Sequence, residues 1–197
     1  MYNVVLYVHV LALVYWLGGD LGTFLSSRHV LRSELGVQSR QTAFNILMEC
    51  DMGPRLAMPL ILGSGFHLSS LRWPELLPDV TALIGWLVVM VWMALVAAIH
   101  SSVGQRFPSL TQWDLRLRFA VVGGLLGVGG YAFAIGLPGW LALKITIFAT
   151  LVACGIAVRF ALKPFATAYL GMVTDGPSDE RNTAMILSLI HISEPTR

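Results

Sequence analysis

The sequence predicts an all-α protein, a polytopic bundle of transmembrane helices with at least five spans. Three observations carry that expectation. The chain of 197 residues is 56% hydrophobic and 12% charged, whereas soluble domains carry roughly 25% charged residues. Uncharged runs reach the length that crosses hydrocarbon: Thr81 to Ile99 is nineteen residues, or ~28 Å as a helix. Basic residues collect in alternate connections, as loop charge does in multi-pass proteins. The same figures exclude other classes. A net charge of +2 is too small for a surface that tracks nucleic-acid phosphates. Two cysteines, Cys50 and Cys154, make neither a disulfide framework nor a CxxC pair.

The first span is expected over about 2–25, interrupted only by His9 and Asp20. It lacks the basic start and small-residue cleavage site of a signal peptide. The polar interval Ser26–Gly53 holds two pieces with helical periodicity, HVLRSEL and TAFNILMEC, which predict short amphipathic helices on the membrane surface. Pro54 suits a helix first turn, so the second span is placed at 54–71, kinked at Pro59. Trp73 in the connection RWPELLPD suits the membrane interface. The third span is 81–100 and the fourth 117–137. Leu137-Pro138-Gly139 marks a turn, and the fifth span, 140–162, comes after it. Residues 1–163 thus read as one transmembrane domain. Residues 164–186 read as a cytoplasmic segment or the start of a truncated sixth span.

Sidedness is set by charge. Arg28, Arg32, Arg40, Arg55, Arg106, Arg116, Arg118, Arg159, Lys163 and Arg181 fall on one side of this topology, against Arg72 and the intrahelical Lys144 on the other. This predicts the N-terminus outside and the basic loops in the cytoplasm of a bacterial inner (plasma) membrane. The lipid bilayer is the expected partner, and nucleic acid is not.

Ionisable groups inside spans are costly and are functional or paired. His9, His67 and Lys144 each lie ~6–8 Å along their helices from the outer end, so three groups share one depth. Two neutral imidazoles suit an axial haem site or a transition metal, and Lys144 suits a propionate or a proton transfer. The bland alternative is that each reaches the headgroups or a carbonyl, a lysine by snorkelling. Asp20 is expected to form a structural ion pair with Arg55 or Arg118. Gly123, Gly127, Gly130 and Ala134 make one small-residue face, read first as a helix-packing surface and second as room for a flat macrocycle. Met48, Cys50 and Met52 alternate, and Met90 and Met93 lie a turn apart, as a soft donor set for copper would require. Methionine is also a routine gap-filler. No soluble-enzyme signature such as GxSxG or HExxH is present.

Val8-His9-Val10 with Tyr15-Trp16-Leu17-Gly18-Gly19, then Arg118-Phe119, Gly139-Trp140-Leu141-Ala142-Leu143-Lys144 and Arg159, resemble the copper-resistance protein D type of membrane protein. The HemJ-type protoporphyrinogen oxidases have a similar first-span histidine and a Gly-Trp-Leu-x-x-Lys element, and Met48-Glu49 resembles their Met-Glu pair. The resemblance covers residues 1–70 and 115–163 and implies a helical membrane protein handling copper or haem. Its HemJ-type branch implies functional roles for His9 and Lys144. Departures from the pattern are a longer route between the His and Lys spans and the lack of an external Met/His-rich patch.

Leu187 to Arg197 (LSLIHISEPTR) resembles the translation of a transposon-end sequencing adapter. These eleven residues are therefore expected to be non-native, which removes His191 from the candidate ligands. The expected function is a haem- or metal-handling membrane protein with His9, His67 and Lys144 as cofactor-binding residues, the two histidines as metal ligands, and haem b or copper as cofactor. The alternatives are a HemJ-like oxidase, a copper permease and a structural subunit, so enzymatic activity stays open.

Overall fold

A computed structural model of the chain describes residues 1–193, with side chains through residue 188. The expectation that residues 187–197 are non-native lies mostly outside the described residues. Eight helices succeed one another: α1 (Tyr2–Val30), α2 (Val37–Arg72), α3 (Asp79–Ile99), α4 (Ser102–Arg106), α5 (Leu110–Ala134), α6 (Gly139–Ala161), α7 (Lys163–Asp175) and α8 (Asp179–Ser193). Four of them, α1, α3, α5 and α6, are long and apolar enough to cross a membrane. The protein is therefore all-helical and of multi-pass membrane type.

Helix α2 falls outside that group although it sits in the core. Its 36 residues extend ~54 Å, and it carries buried Ser64, Ser69 and Ser70. Their hydroxyls donate to the carbonyls of Leu60, Gly65 and His67 on the same helix. Each polar group is thus satisfied without leaving the apolar interior.

The interval Ser26–Gly53, expected as short surface helices, is instead part of one long hairpin. α1 runs on to Val30, and α2 begins at Val37 and passes through Pro54 without stopping. Pro54 has no N–H to give to the Cys50 carbonyl, and this would normally break the helix. Here Gly19 of α1 lies against that defect. A Cβ at Gly19 would meet Pro54 Cγ at 2.8 Å and the Cys50 carbonyl oxygen at 2.9 Å. The absence of a side chain lets the α1 backbone approach the freed carbonyl and the proline ring closely. Gly22 does the same for the Cys50 thiol.

The predicted turn after the fourth span is present. α5 ends at Ala134, and Gly136 takes φ +77°. Gly136 N–H donates to Phe133 O at 3.3 Å, and Leu137 N–H to Ala132 O at 3.0 Å. That is a Schellman C-cap, which needs the left-handed conformation glycine tolerates. Leu137 closes it by packing on Ala132 and Leu141.

One core draws on all five long helices: Ala12 and Trp16, Ala57 to Leu62, Trp92 and Val96, Val121 and Leu125, Ala149 and Val152. The helices pack in the order α1–α2–α3–α5–α6. The ring does not close. Among the described residues α6 lies beside α1 with almost no packing between them, apart from an edge-to-face contact of Trp16 and Phe148 at 5.8 Å. We call this opening the α1–α6 seam. At the arginine-rich end, α7 and α8 pack Phe165, Met172 and Met185 against Val30 in a separate cluster.

Among the described residues nothing packs on the small-residue face of α5. Cβ atoms at Gly123, Gly124, Gly127 and Gly130 would meet nothing within 4 Å. α5 uses Val121, Leu125, Gly129 and Ala132 as its inward stripe, which turns those glycines outward. Close helix approach is provided elsewhere, by Gly63 against Val89 and Trp86, by Gly85 against Phe66, and by Gly129 against Thr146.

Candidate functional site

The seam opens into a cavity of about 720 Å³ walled by α1, α2, α5 and α6. Each helix contributes one stripe. α1 supplies Leu6, His9, Leu13 and Trp16, and α6 supplies Trp140, Lys144, Ile147 and Leu151. These spacings of three and four residues are one face of a helix. Cavities of ~300–1,000 Å³ with apolar walls and few polar groups are the size and kind that hold organic ligands.

His9 and Lys144, two of the three residues predicted to share a site, both line this cavity. His67 does not. The α2 stripe that faces the cavity runs through Ile61, Gly65, Leu68 and Arg72. His67 lies ~200° around the helix from Gly65. It faces α3 instead, where Trp86 Nε1–H donates to its Nδ1 at 3.3 Å and the two rings meet edge to face. The structure therefore brings His9 and Lys144 to one cavity and places His67, expected to pair with His9 as a ligand, on another face at the same depth.

His9 is oriented by a residue that the sequence alone did not single out. Its Nδ1 lies 2.9 Å from Ser64 Oγ. Ser64 is fully buried, and its hydroxyl donates to the Leu60 carbonyl. A hydroxyl has one hydrogen; when Ser64 gives it to Leu60, its Oγ accepts from an Nδ1–H of His9. Nε2 then carries the lone pair, the form that ligates a metal or accepts a hydrogen bond. Gly65 makes room for the ring: its Cβ would stand 3.4 Å from His9 Cε1.

Arg72 is a second cation on the cavity wall, at the end formed by Trp73 and Trp140. The two indoles lie 6.0 Å apart, and the Arg72 guanidinium sits 5.7 Å from the Trp73 ring. Among the described residues neither Arg72 nor Lys144 forms an ion pair; the four that exist use other cations. The cavity is thus an apolar slot with one imidazole and two uncompensated cations. The donor set fits a ligand with an apolar body, anionic substituents and an atom that accepts the Nε2 lone pair.

Among the described residues the expected ion pair of Asp20 with Arg55 or Arg118 is not formed. Arg55 pairs with Asp51, Nε to Oδ2 at 2.6 Å. Arg118 pairs with Asp114 at 3.0 Å, and Arg159 of α6 reaches the same carboxylate at 2.7 Å. Asp20 is exposed and joins none of these. An i,i+4 partner on the same helix is held in place by the helix itself, so Asp51 and Asp114 outcompete a carboxylate on another element.

The sulfur donors do not converge. Cys50 packs on Gly22, Met52 packs on the core, and none of Met48, Cys50, Met52, Met90 and Met93 lines the cavity. In the continuous helix α2, Met48 and Met52 lie a turn apart on one face, and Cys50, two residues from each, points ~200° away from them. Among the described residues no group of three or more His, Cys, Asp or Glu side chains is arranged to hold a metal ion.

Compared with protein-family models, with curated proteins and with solved structures, the chain has no match.

Proposed function

We propose that the protein is a five-span plasma-membrane protein that binds a tetrapyrrole of haem type in the cleft behind the α1–α6 seam. The observation that carries this reading is the convergence of His9 and Lys144 on one apolar cavity, with the Nδ1 edge of His9 held by Ser64. His9 would hold such a group through Nε2, and Lys144 and Arg72 would pair with its carboxylates. A haem held there would supply an iron for ligand binding or electron transfer. The chain's own part is to fix the imidazole tautomer, to seat an apolar disc and to neutralise its acidic edge.

The fifth span in this reading is the Pro54–Leu71 part of α2, which contributes Ala57, Met58, Ile61 and Leu62 to the common core. Loop charge supports an N-terminus outside, because the arginine-rich ends of α1, α3 and α6 then face the cytoplasm. The cleft lies in the outer half of the bundle.

The test is the absorption spectrum of the detergent-purified protein expressed with added haem. A Soret band is expected. It should vanish in His9→Ala and persist in His67→Ala, since His67 is turned to Trp86. A protein without a Soret band, or a band that depends on His67, would overturn the reading.

A further inference from the structure

The walls of the cleft indicate how it is reached. Leu6, Val10 and Leu13 of α1 and Trp140, Ile147 and Leu151 of α6 line the cavity. All six are also exposed, from Leu6 at 39% to Trp140 at 60%. An apolar residue that both lines a cavity and stays exposed marks the place where a wall is missing. Here the missing wall is the α1–α6 seam, which runs along two helices long and apolar enough to cross a membrane. In a bilayer that opening faces acyl chains.

The ends of the cleft are bounded by aromatic pairs. The end of the cleft toward the arginine-rich side is floored by Trp16 against Phe148. At the opposite end, Trp73, Leu77 and Ile135 pack on Leu137, Leu141 and Ala142, and the Trp73–Trp140 pair forms the rim. Lys144 is exposed on the wall and has no carboxylate partner among the described residues, so a carboxylate of a guest can pair with it.

We propose that the guest, on the tetrapyrrole reading on which this route rests, enters and leaves sideways, from the lipid through the α1–α6 seam. It does so as an amphiphile that keeps its carboxylate edge on Lys144 and Arg72 while its apolar body slides between the helices. Ligands free in water play no part in this route. The shared chemistry, an apolar body with a carboxylate edge, belongs both to a tetrapyrrole and to a fatty acid, and the experiment separates them.

The experiment uses the full chain in phosphatidylcholine vesicles, with Cys50 and Cys154 replaced by serine. A nitroxide is attached at Leu13→Cys or Ile147→Cys, both exposed positions that tolerate a label. Collision with oxygen, which partitions into lipid, is compared with collision with a water-soluble nickel chelate. Oxygen should dominate several-fold at both sites. Haem preloaded in the vesicles, and separately a spin-labelled stearate, are then offered to the protein before and after Val10→Cys and Ile147→Cys are bridged by a bismaleimide. Bridging should slow haem uptake at least tenfold, and Lys144→Gln should weaken the retained guest about tenfold. Dominant chelate access, or uptake unchanged by the bridge, overturns the lateral route even if haem binds. Oxygen access and bridge-sensitive stearate uptake without a Soret band uphold the route and overturn the tetrapyrrole reading alone.

Discussion

Nδ1 of His9 lies 2.9 Å from Oγ of Ser64, and the Ser64 hydroxyl also reaches the Leu60 carbonyl. This relationship joins α1 to α2 and occupies Nδ1 of His9. Removing such an outer partner typically costs about 10–100-fold in ligand affinity. Ser64→Ala should therefore weaken haem binding by that factor, read as a titration of the Soret band, with thermal stability changed little. An unchanged affinity would show that Ser64 does not set the tautomer.

The buried carboxylate at the other end makes a stability prediction. Asp114 is 4% exposed and carries both Arg118 and Arg159. Its loss leaves the largely buried Arg118 without a counter-charge, with its guanidinium over the Trp92 ring. Asp114→Ala should destabilise the bundle by about 3–5 kcal/mol, the cost typical of breaking a buried pair from one side. Arg159→Ala should cost less, because that side chain is more exposed. Thermal unfolding in detergent ranks the two, and equal losses would contradict the assignment.

Two glycine-to-alanine changes should act in opposite directions. At Gly19 the new methyl meets Pro54 and the Cys50 backbone, neither of which can move aside, so a loss of about 1–3 kcal/mol is expected. At Gly123 it meets nothing, and alanine should be neutral or stabilising by up to ~1 kcal/mol through helix propensity. Melting temperatures of the two variants in the same detergent provide the comparison.

The helices beyond the bundle hang on Arg40. Its guanidinium is buried and donates to the Val30 carbonyl at 2.7 Å and to Asn182 Oδ1 at 3.0 Å. It thus ties α1, α2 and α8 together. Arg40→Leu should free α8, seen as faster protease cleavage between Asp175 and Asp179 and as lost amide protection in α8. A variant as protected as the parent would remove Arg40 from this role.

Tyr169, which stacks on Phe44 at 4.1 Å, gives the fold a dependence on pH. Burial raises its phenol above the ordinary value of 10.0. The folded state therefore resists losing that proton, so the contribution of Tyr169 to stability is full below about pH 10 and is lost as pH rises through the folded value. Burial moves Arg40 the opposite way, downward, so Tyr169→Phe isolates the phenol. That variant should keep more of its α7–α8 protection than the parent above pH 10, and equal losses would count against the assignment.

Much of the architecture was legible because it rests on local rules. The uncharged run of α3, the turn at Leu137-Pro138-Gly139 and the segment that becomes α6 come from hydropathy and from proline and glycine placement, each confined to a few neighbouring residues. Gly136, by contrast, read as part of the fourth span, belongs to that turn. The level of His9 and Lys144 along their helices was legible for the same reason. The azimuth of His67 was partly legible too: counting ~100° per residue from Arg72 or Leu68 separates it from their face, but only once that face is known to be the cavity wall. The ion pairs carried a readable signal in the i,i+4 spacings Asp51/Arg55 and Asp114/Arg118, which the longer-range expectation for Asp20 overlooked.

The sequence by itself determined that this is a helical chain of membrane type, with few polar groups inside its apolar segments and its basic residues gathered at one end. Those properties come from composition and from the helix period, and need no knowledge of which helix touches which. Tertiary structure alone decided that Gly19 shelters the Pro54 defect and that Ser64 holds His9. It also decided that the α5 glycines face outward and that α6 stops short of α1. Each depends on how helices rotate and approach one another, which is set by the fit of whole side-chain surfaces. The cleft exists because that fit leaves the α1–α6 seam open.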